Sequence, residues 1–205
     1  MCCLVQSQRF CHLVCLLLAD RNDNGGLVWV NRGADDWNAS EHVLPEYGYY
    51  ARVPSGSGEV ESAIERREGA IVEWSRSFEL WYVNARPVVL EPLPRRSFLP
   101  SPTGPDPRPG RMNRDGKAVS FGPITTNGAL RLTSSGDGLL LTPLPSSPFF
   151  TVRLRWSGLP WKMPIPREVE AIDESGMPVR RAPVEAEGDT IVMQCEPGVF
   201  AYRLR

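Results

Sequence analysis

Four carboxylates crowd one short stretch of the chain: Asp35, Asp36, Glu41 and Glu46, interleaved with Trp37 and Tyr47. Two carboxyl groups held about 5–10 Å apart can work from opposite sides of a glycosidic bond, one as acid and one as base or nucleophile. Aromatic rings stack on the apolar faces of sugars, and carboxylates accept hydroxyl protons. Trp37 and Tyr47, with Trp81 further along, are therefore the candidate substrate-binding residues, and carbohydrate is the candidate partner. The plainer reading of the same stretch is a polar connection with a helix cap at Asp36 or Ser40. Composition favours that plainer reading, since acids in loops are common, and no residue is assigned a catalytic role.

Other chemistries find less support. The two histidines, His12 and His42, fall in an apolar run and a loop. No G-x-S-x-G motif provides a nucleophile elbow. Gly56-Ser57-Gly58 and Gly136-Asp137-Gly138 read as turns, not phosphate cradles, because no convincing helix follows either. Cys11, His12 and Cys15 would share a face if helical and could meet a metal there. Free cysteine more often packs as a small hydrophobe, so neither a metal nor a cofactor is expected. The five cysteines form no CxxC pair and no disulfide framework, which leaves the compartment open. Asn38-Ala39-Ser40 fits an N-glycosylation acceptor, of consequence only in a eukaryotic secreted protein.

Charge is balanced, 23 Lys+Arg against 24 Asp+Glu, which leaves no basic field for nucleic acid. The pairs Arg66-Arg67, Arg95-Arg96 and Arg180-Arg181 are short enough to be solvated loop or edge charges. The chain of 205 residues is long enough to bury a substantial core.

The elements that must position these side chains are mostly strands. With 20 Pro and 18 Gly between short alternating apolar runs, the composition is that of a β chain with many turns. One run differs. Phe10, Leu13, Val14, Leu17 and Leu18 fall at helical spacing and predict a short amphipathic helix. A signal peptide is the rival, but no basic leader or small-residue cleavage site accompanies the run. The run is also too short to span a membrane. Leu27 to Val30 predicts a strand, and residues 46–53 an extended segment. Residues 55–70 open with a Ser/Gly turn, and their middle predicts a short helix ended by Gly69. Residues 70–84 predict one or two strands ending before Pro87. Residues 91–110 are a Pro-rich linker or loop; a PxxP ligand for an SH3-type domain is the less favoured alternative. Residues 130–142 predict a hairpin around Ser-Ser-Gly-Asp-Gly. The segment 169–179 predicts strand–turn–strand, and 189–205 two strands around Glu196-Pro197-Gly198. In the run "WSRSFELWYVNARP", alternation places Phe78, Leu80 and Tyr82 on a core face. Trp81 then lies opposite, beside Ser77 and Glu79, as the best candidate for an exposed ring. Trp29, Trp74, Trp156 and Trp161 read as core pieces.

Three motifs carry a family resemblance: "HLVCLLLAD", then the Pro/Tyr/Gly-rich "LPEYGYYARVP", then Arg76, Phe78, Val83 and Asn84 in an R-x-F-x-x-x-x-V-N pattern. Together with the ending "GVFAYRLR", they resemble the C-terminal region of (β/α)8-barrel glycoside hydrolases, where the last barrel helix leads into a β-sandwich. Leu80 and Trp81 stand where that pattern usually has Gly. The resemblance implies catalytic carboxylates in an upstream barrel, so none is carried over to this chain. A full barrel needs about 250 residues.

The expectation is a mainly β protein, an antiparallel β-sandwich with a short N-terminal amphipathic helix. Residues 1–20 form the helix, a barrel remnant by the resemblance. Residues 21–90 form a first β region, 91–110 the linker, and 111–205 a C-terminal β-sandwich region. The expected role is non-catalytic, structural or glycan-contacting, within a glycoside-hydrolase-like protein. A stand-alone carbohydrate-binding or adhesion module is the alternative.

Overall fold

The computed structural model describes residues 17–21, 25–56, 58–86, 116–136 and 138–205. These residues fold almost wholly as antiparallel strands. In chain order they are β1 (Leu17–Arg21), β2 (Leu27–Asn31), β3 (Trp37–Ala39), β4 (His42–Leu44), β5 (Tyr49–Ser55) and β6 (Gly58–Arg67). Next come β7 (Ala70–Arg76), β8 (Leu80–Asn84), β9 (Val119–Phe121), β10 (Ile124–Thr126), β11 (Ala129–Ser135) and β12 (Gly138–Pro143). The last six are β13 (Phe150–Arg155), β14 (Val169–Ile172), β15 (Pro178–Arg181), β16 (Val184–Glu187), β17 (Thr190–Cys195) and β18 (Ala201–Leu204). A single 3-10 turn, Trp156–Gly158, is the one helical element among the described residues.

Two sheets result. The larger runs β1-β2-β5-β6-β7-β8-β11-β12-β18-β14-β15, with the β3–β4 hairpin attached to β6 through β4. The smaller runs β16-β17-β13-β10-β9. β8 and β11 are direct neighbours, so the larger sheet is continuous between the segments before and after residues 87–115.

Alternation explains how the sheets meet. Along β13, buried Phe150, Val152 and Leu154 alternate with Thr151, Arg153 and Arg155. Along β17, Ile191, Met193 and Cys195 are buried in the same period. This is the signature of a sheet with one covered face. The covering face is Leu130, Leu132, Leu139, Leu141, Tyr202, Leu204, Val169 and Ala171 of the larger sheet, and all belong to one core cluster with the smaller sheet. The arrangement is sandwich-like. Each fully buried aliphatic side chain here contributes about 1.5–3 kcal/mol. Where β10 leaves the smaller sheet for β11 of the larger, Gly128 sits against Phe150. A Cβ on Gly128 would lie 2.1 Å from that ring, so the crossing needs glycine.

Three expectations change. The N-terminal helix is replaced at residues 17–21 by strand β1, antiparallel to β2 with Leu17 opposite Asn31; the rest of that prediction, with Cys11, His12 and Cys15, lies outside the described residues. A short apolar run fits a strand as well as a helix, and here an open strand edge was available to pair it. The short helix before Gly69 is strand β6. Glu68 and Gly69, both at positive φ (51° and 84°), form the two-residue hairpin turn into β7. The face of β8 is also inverted. Ser77 N–H donates to Leu80 O, and Ser77 Oγ accepts from the N–H groups of Glu79 and Leu80, making a tight turn at Phe78-Glu79. Phe78 at its tip is 59 % exposed, while Trp81 and Val83 turn into the core. A slip of one residue exchanges the two faces of a strand.

Other expectations hold. β11–β12 is the hairpin around residues 135–138, and β14–β15 is the strand–turn–strand at 169–181. The last two strands flank Glu196-Pro197-Gly198 but belong to different sheets. The linker at 91–110 lies outside the described residues.

Candidate functional site

The core face of the larger sheet extends further than the smaller sheet covers. Cross-strand register traces one row of opposed residues: Arg52, Glu61, Arg76, Trp81, Leu132, Leu141 and Tyr202. The neighbouring row is Trp29, Tyr50, Ala63, Trp74, Val83 and Leu130. Both rows begin polar and aromatic and end apolar. The apolar end meets the smaller sheet; the polar–aromatic end opens as a cleft of about 540 Å³. The β3–β4 hairpin supplies its side wall, with Ser40, Glu41 and His42 on the lining.

Glu65 anchors the cleft from β6. It is 2 % exposed. His42 Nδ1 lies 2.5 Å from Oε2, Trp74 Nε1 donates to Oε1 at 2.6 Å, and an Arg67 NH2 group lies 2.5 Å from Oε1. Burial pushes the Glu65 carboxyl up, but the bond from His42, the Arg67 charge and the bond from Trp74 outweigh it and hold the group below its ordinary range. The His42 ring stacks on Tyr50 at 3.9 Å, and Trp29 stacks on Tyr50 at 5.3 Å. Arg67 lies over Trp74 and Phe121, at 5.6 and 5.7 Å. This ties the cleft to the edge strand β9 of the smaller sheet.

A second anchor is Glu61. It pairs with Arg76 and accepts a 3.1 Å bond from the Tyr50 hydroxyl. Burial first, then the Glu61 charge, raises the Tyr50 pKa to about 12, so this hydroxyl stays a donor at neutral pH. Arg76 is held between Trp74 and Trp81, at 5.5 and 5.8 Å. Its guanidinium has five donors, and the bond to Glu61 uses only one of them.

Glu61 and Glu65 are four residues apart on one strand, about 13 Å at ~3.3 Å per residue. Each is also committed to an arginine. Paired-carboxylate hydrolysis needs a closer, freer pair; this pair is built to hold a surface in shape.

The sequence-predicted residues are dispersed. Trp37 is half-buried on β3 and packs against the core. Tyr47 is 64 % exposed on a turn at φ 59°. Trp81 is 8 % exposed and borders the cleft through Arg76. None of these three is on the lining of the cleft. Of the four acids, Asp36 is paired with Arg66 at 2.6 Å, and Glu41 alone lines the cleft. Asn38 is exposed beside buried Ala39 in the hairpin. Arg76 pairs with Glu61 on the neighbouring strand β6. Asn84 Oδ1 accepts the Arg86 N–H at 3.3 Å, just past the end of β8.

Sequence reasoning passed over Tyr50, Glu61, Glu65, Arg67 and Trp74 as site residues. The signal was present in the period-two spacing of Glu61, Ala63, Glu65 and Arg67, which a strand places on one face. Reading that segment as helix concealed it.

Among the described residues, no group of three or more His, Cys, Asp or Glu is placed to hold a metal, and no helix is long and apolar enough to cross a membrane. No family model matches the chain, and comparisons with curated proteins and with solved structures found no match. The fold and site thus define a class by themselves: an antiparallel, sandwich-like β protein with an open cleft of paired charges over largely buried aromatic rings on its larger sheet.

Proposed function

We propose that the chain is a non-catalytic β-sandwich module that contacts carbohydrate through this cleft, as the C-terminal portion of a glycoside-hydrolase-like protein. One observation carries the reading. Where the smaller sheet ends, the sandwich core face continues into an open cleft in which half-buried Trp29, backed by the buried rings of Tyr50 and Trp74, lies beside arginine–glutamate pairs. Rings of this kind cover the apolar face of a sugar, and charged side chains fixed by their partners bond its hydroxyls with little ordering cost. The resemblance at Arg76, Phe78, Val83 and Asn84 supports the link to hydrolases, since that motif forms the β7–β8 hairpin beside the cleft.

Titration of the protein with soluble polysaccharides, followed by tryptophan fluorescence and calorimetry, tests the reading. Binding is expected, and Trp29→Ala should weaken it at least about tenfold, the scale of one aromatic contact. No response to any glycan would end the carbohydrate reading. Immunodetection in the source cells tests the parent protein. A band well above 22.8 kDa supports the hydrolase tail, and a band at 22.8 kDa supports a stand-alone carbohydrate-binding or adhesion module with the same cleft.

A further inference from the structure

We infer that the cleft takes uncharged glycans and rejects acidic ones, an inference that rests on the carbohydrate reading above. Three arginines line it, Arg52, Arg67 and Arg76, enough to suggest an anion site. Each, however, has its own glutamate: Arg52 with Glu59 at 3.5 Å, Arg67 with Glu65 at 2.5 Å, and Arg76 with Glu61. The positive charge is spent within the protein.

The quality of these pairs matters. Glu65 is almost fully buried, and Glu61 is 14 % exposed with a tyrosine hydroxyl on its second oxygen. Drawing Arg67 or Arg76 towards an incoming carboxylate or sulfate would leave a buried carboxylate short of its cation, which is costly. Only the Arg52–Glu59 pair is half-exposed and easily rearranged. The one charge on the lining without an ion pair among the described residues is Glu41, exposed on the β3–β4 turn. Its carboxylate repels an anionic ligand and accepts hydrogen bonds from hydroxyls.

What remains is suited to a neutral sugar. Trp29, half-buried and stacked on the buried Tyr50 ring, provides ring surface. Arg76 keeps N–H donors beyond the one bonded to Glu61. Glu41 provides an acceptor. Such a pattern of stacking with paired donors and acceptors recognises hydroxyls on a pyranose without using net charge.

The test compares neutral glycans (xyloglucan, galactomannan, mixed-linkage glucan) with acidic ones (polygalacturonate, heparin) by affinity electrophoresis and fluorescence titration, in low and high salt. Binding of neutral glycans is expected to change less than about twofold between ~20 mM and ~500 mM NaCl, because screening acts only between charges. Acidic glycans are expected not to bind. Glu41→Gln, at an exposed position that does not threaten folding, removes the charge and should raise binding of acidic glycans relative to neutral ones. Acidic glycans binding as tightly as neutral ones, with affinity falling in salt, would overturn this inference and leave the carbohydrate reading standing. Binding of neither class would overturn both.

Discussion

Glu65 shows how one residue can set the shape of a site. An unpartnered carboxylate at this depth would cost several kcal/mol, and His42, Arg67 and Trp74 together offset that cost. Removing the carboxylate reverses the problem, leaving Arg67 and His42 facing an empty place. Glu65→Ala is expected to cost about 3 kcal/mol, the low end for a broken buried pair, because Arg67 and His42 keep some contact with water. Urea unfolding measures it, and a loss under about 1 kcal/mol would show that the network does not bear on stability. The pH dependence has a definite sign. The folded carboxyl sits below its ordinary value of 4.5, so its contribution is fully present above that value and is lost as pH falls through the folded one. Unfolding midpoints of the wild type and Glu65→Gln, measured from pH 7 downward, should converge in acid. A constant gap would mean that charge is not what the site uses.

At the scale of the element, the β7–β8 hairpin decides which aromatic ring is structural. The Ser77–Leu80 turn sets the register in which Arg76 opposes Trp81. Trp81→Ala should therefore cost about 3–5 kcal/mol, as for other buried large-to-small changes. Phe78→Ala should stay within ~0.5 kcal/mol, since only the Phe78 backbone carbonyl has a partner, the Trp161 indole. The reverse order of the two midpoints would restore the face read from alternation. That comparison also marks how far the sequence was legible. β chain, hairpins and turns followed from glycine and alternation, as at residues 135–138. The face of β8 did not, because "SFELWYV" alternates with apolar residues in both phases and only the turn chooses between them. β6 was hidden because Ala63, Glu65 and Arg66 are good helix formers whose strand pairing depends on β5 and β7 lying to either side. The cleft was unreadable for a related reason: its residues come from five strands, and only register places Trp29, Tyr50, Trp74 and His42 together.

For the molecule as a whole, the two sheets are joined where the chain crosses between them, and Tyr202 lies at the last crossing. β17 ends in the smaller sheet at Cys195, and β18 begins in the larger at Ala201. Tyr202 is fully buried, opposite Leu141 and Ala171 in the larger sheet. Its hydroxyl accepts the Glu196 N–H at 2.8 Å, just after the smaller sheet ends. A tyrosine that returns a bond to the backbone a few residues upstream fixes such a corner. Tyr202→Phe keeps the ring and deletes the bond, stranding a part-buried N–H at a cost of about 1–3 kcal/mol. Because the ring belongs to the shared core, the loss should fall on both sheets together. Far-ultraviolet circular dichroism and tryptophan fluorescence should then shift to lower denaturant by the same amount, with unchanged slope. Separate midpoints would show instead that the corner only stitches two independently folding layers. In that case the cleft, whose lining belongs to the larger sheet, would keep its shape after the smaller sheet had unfolded.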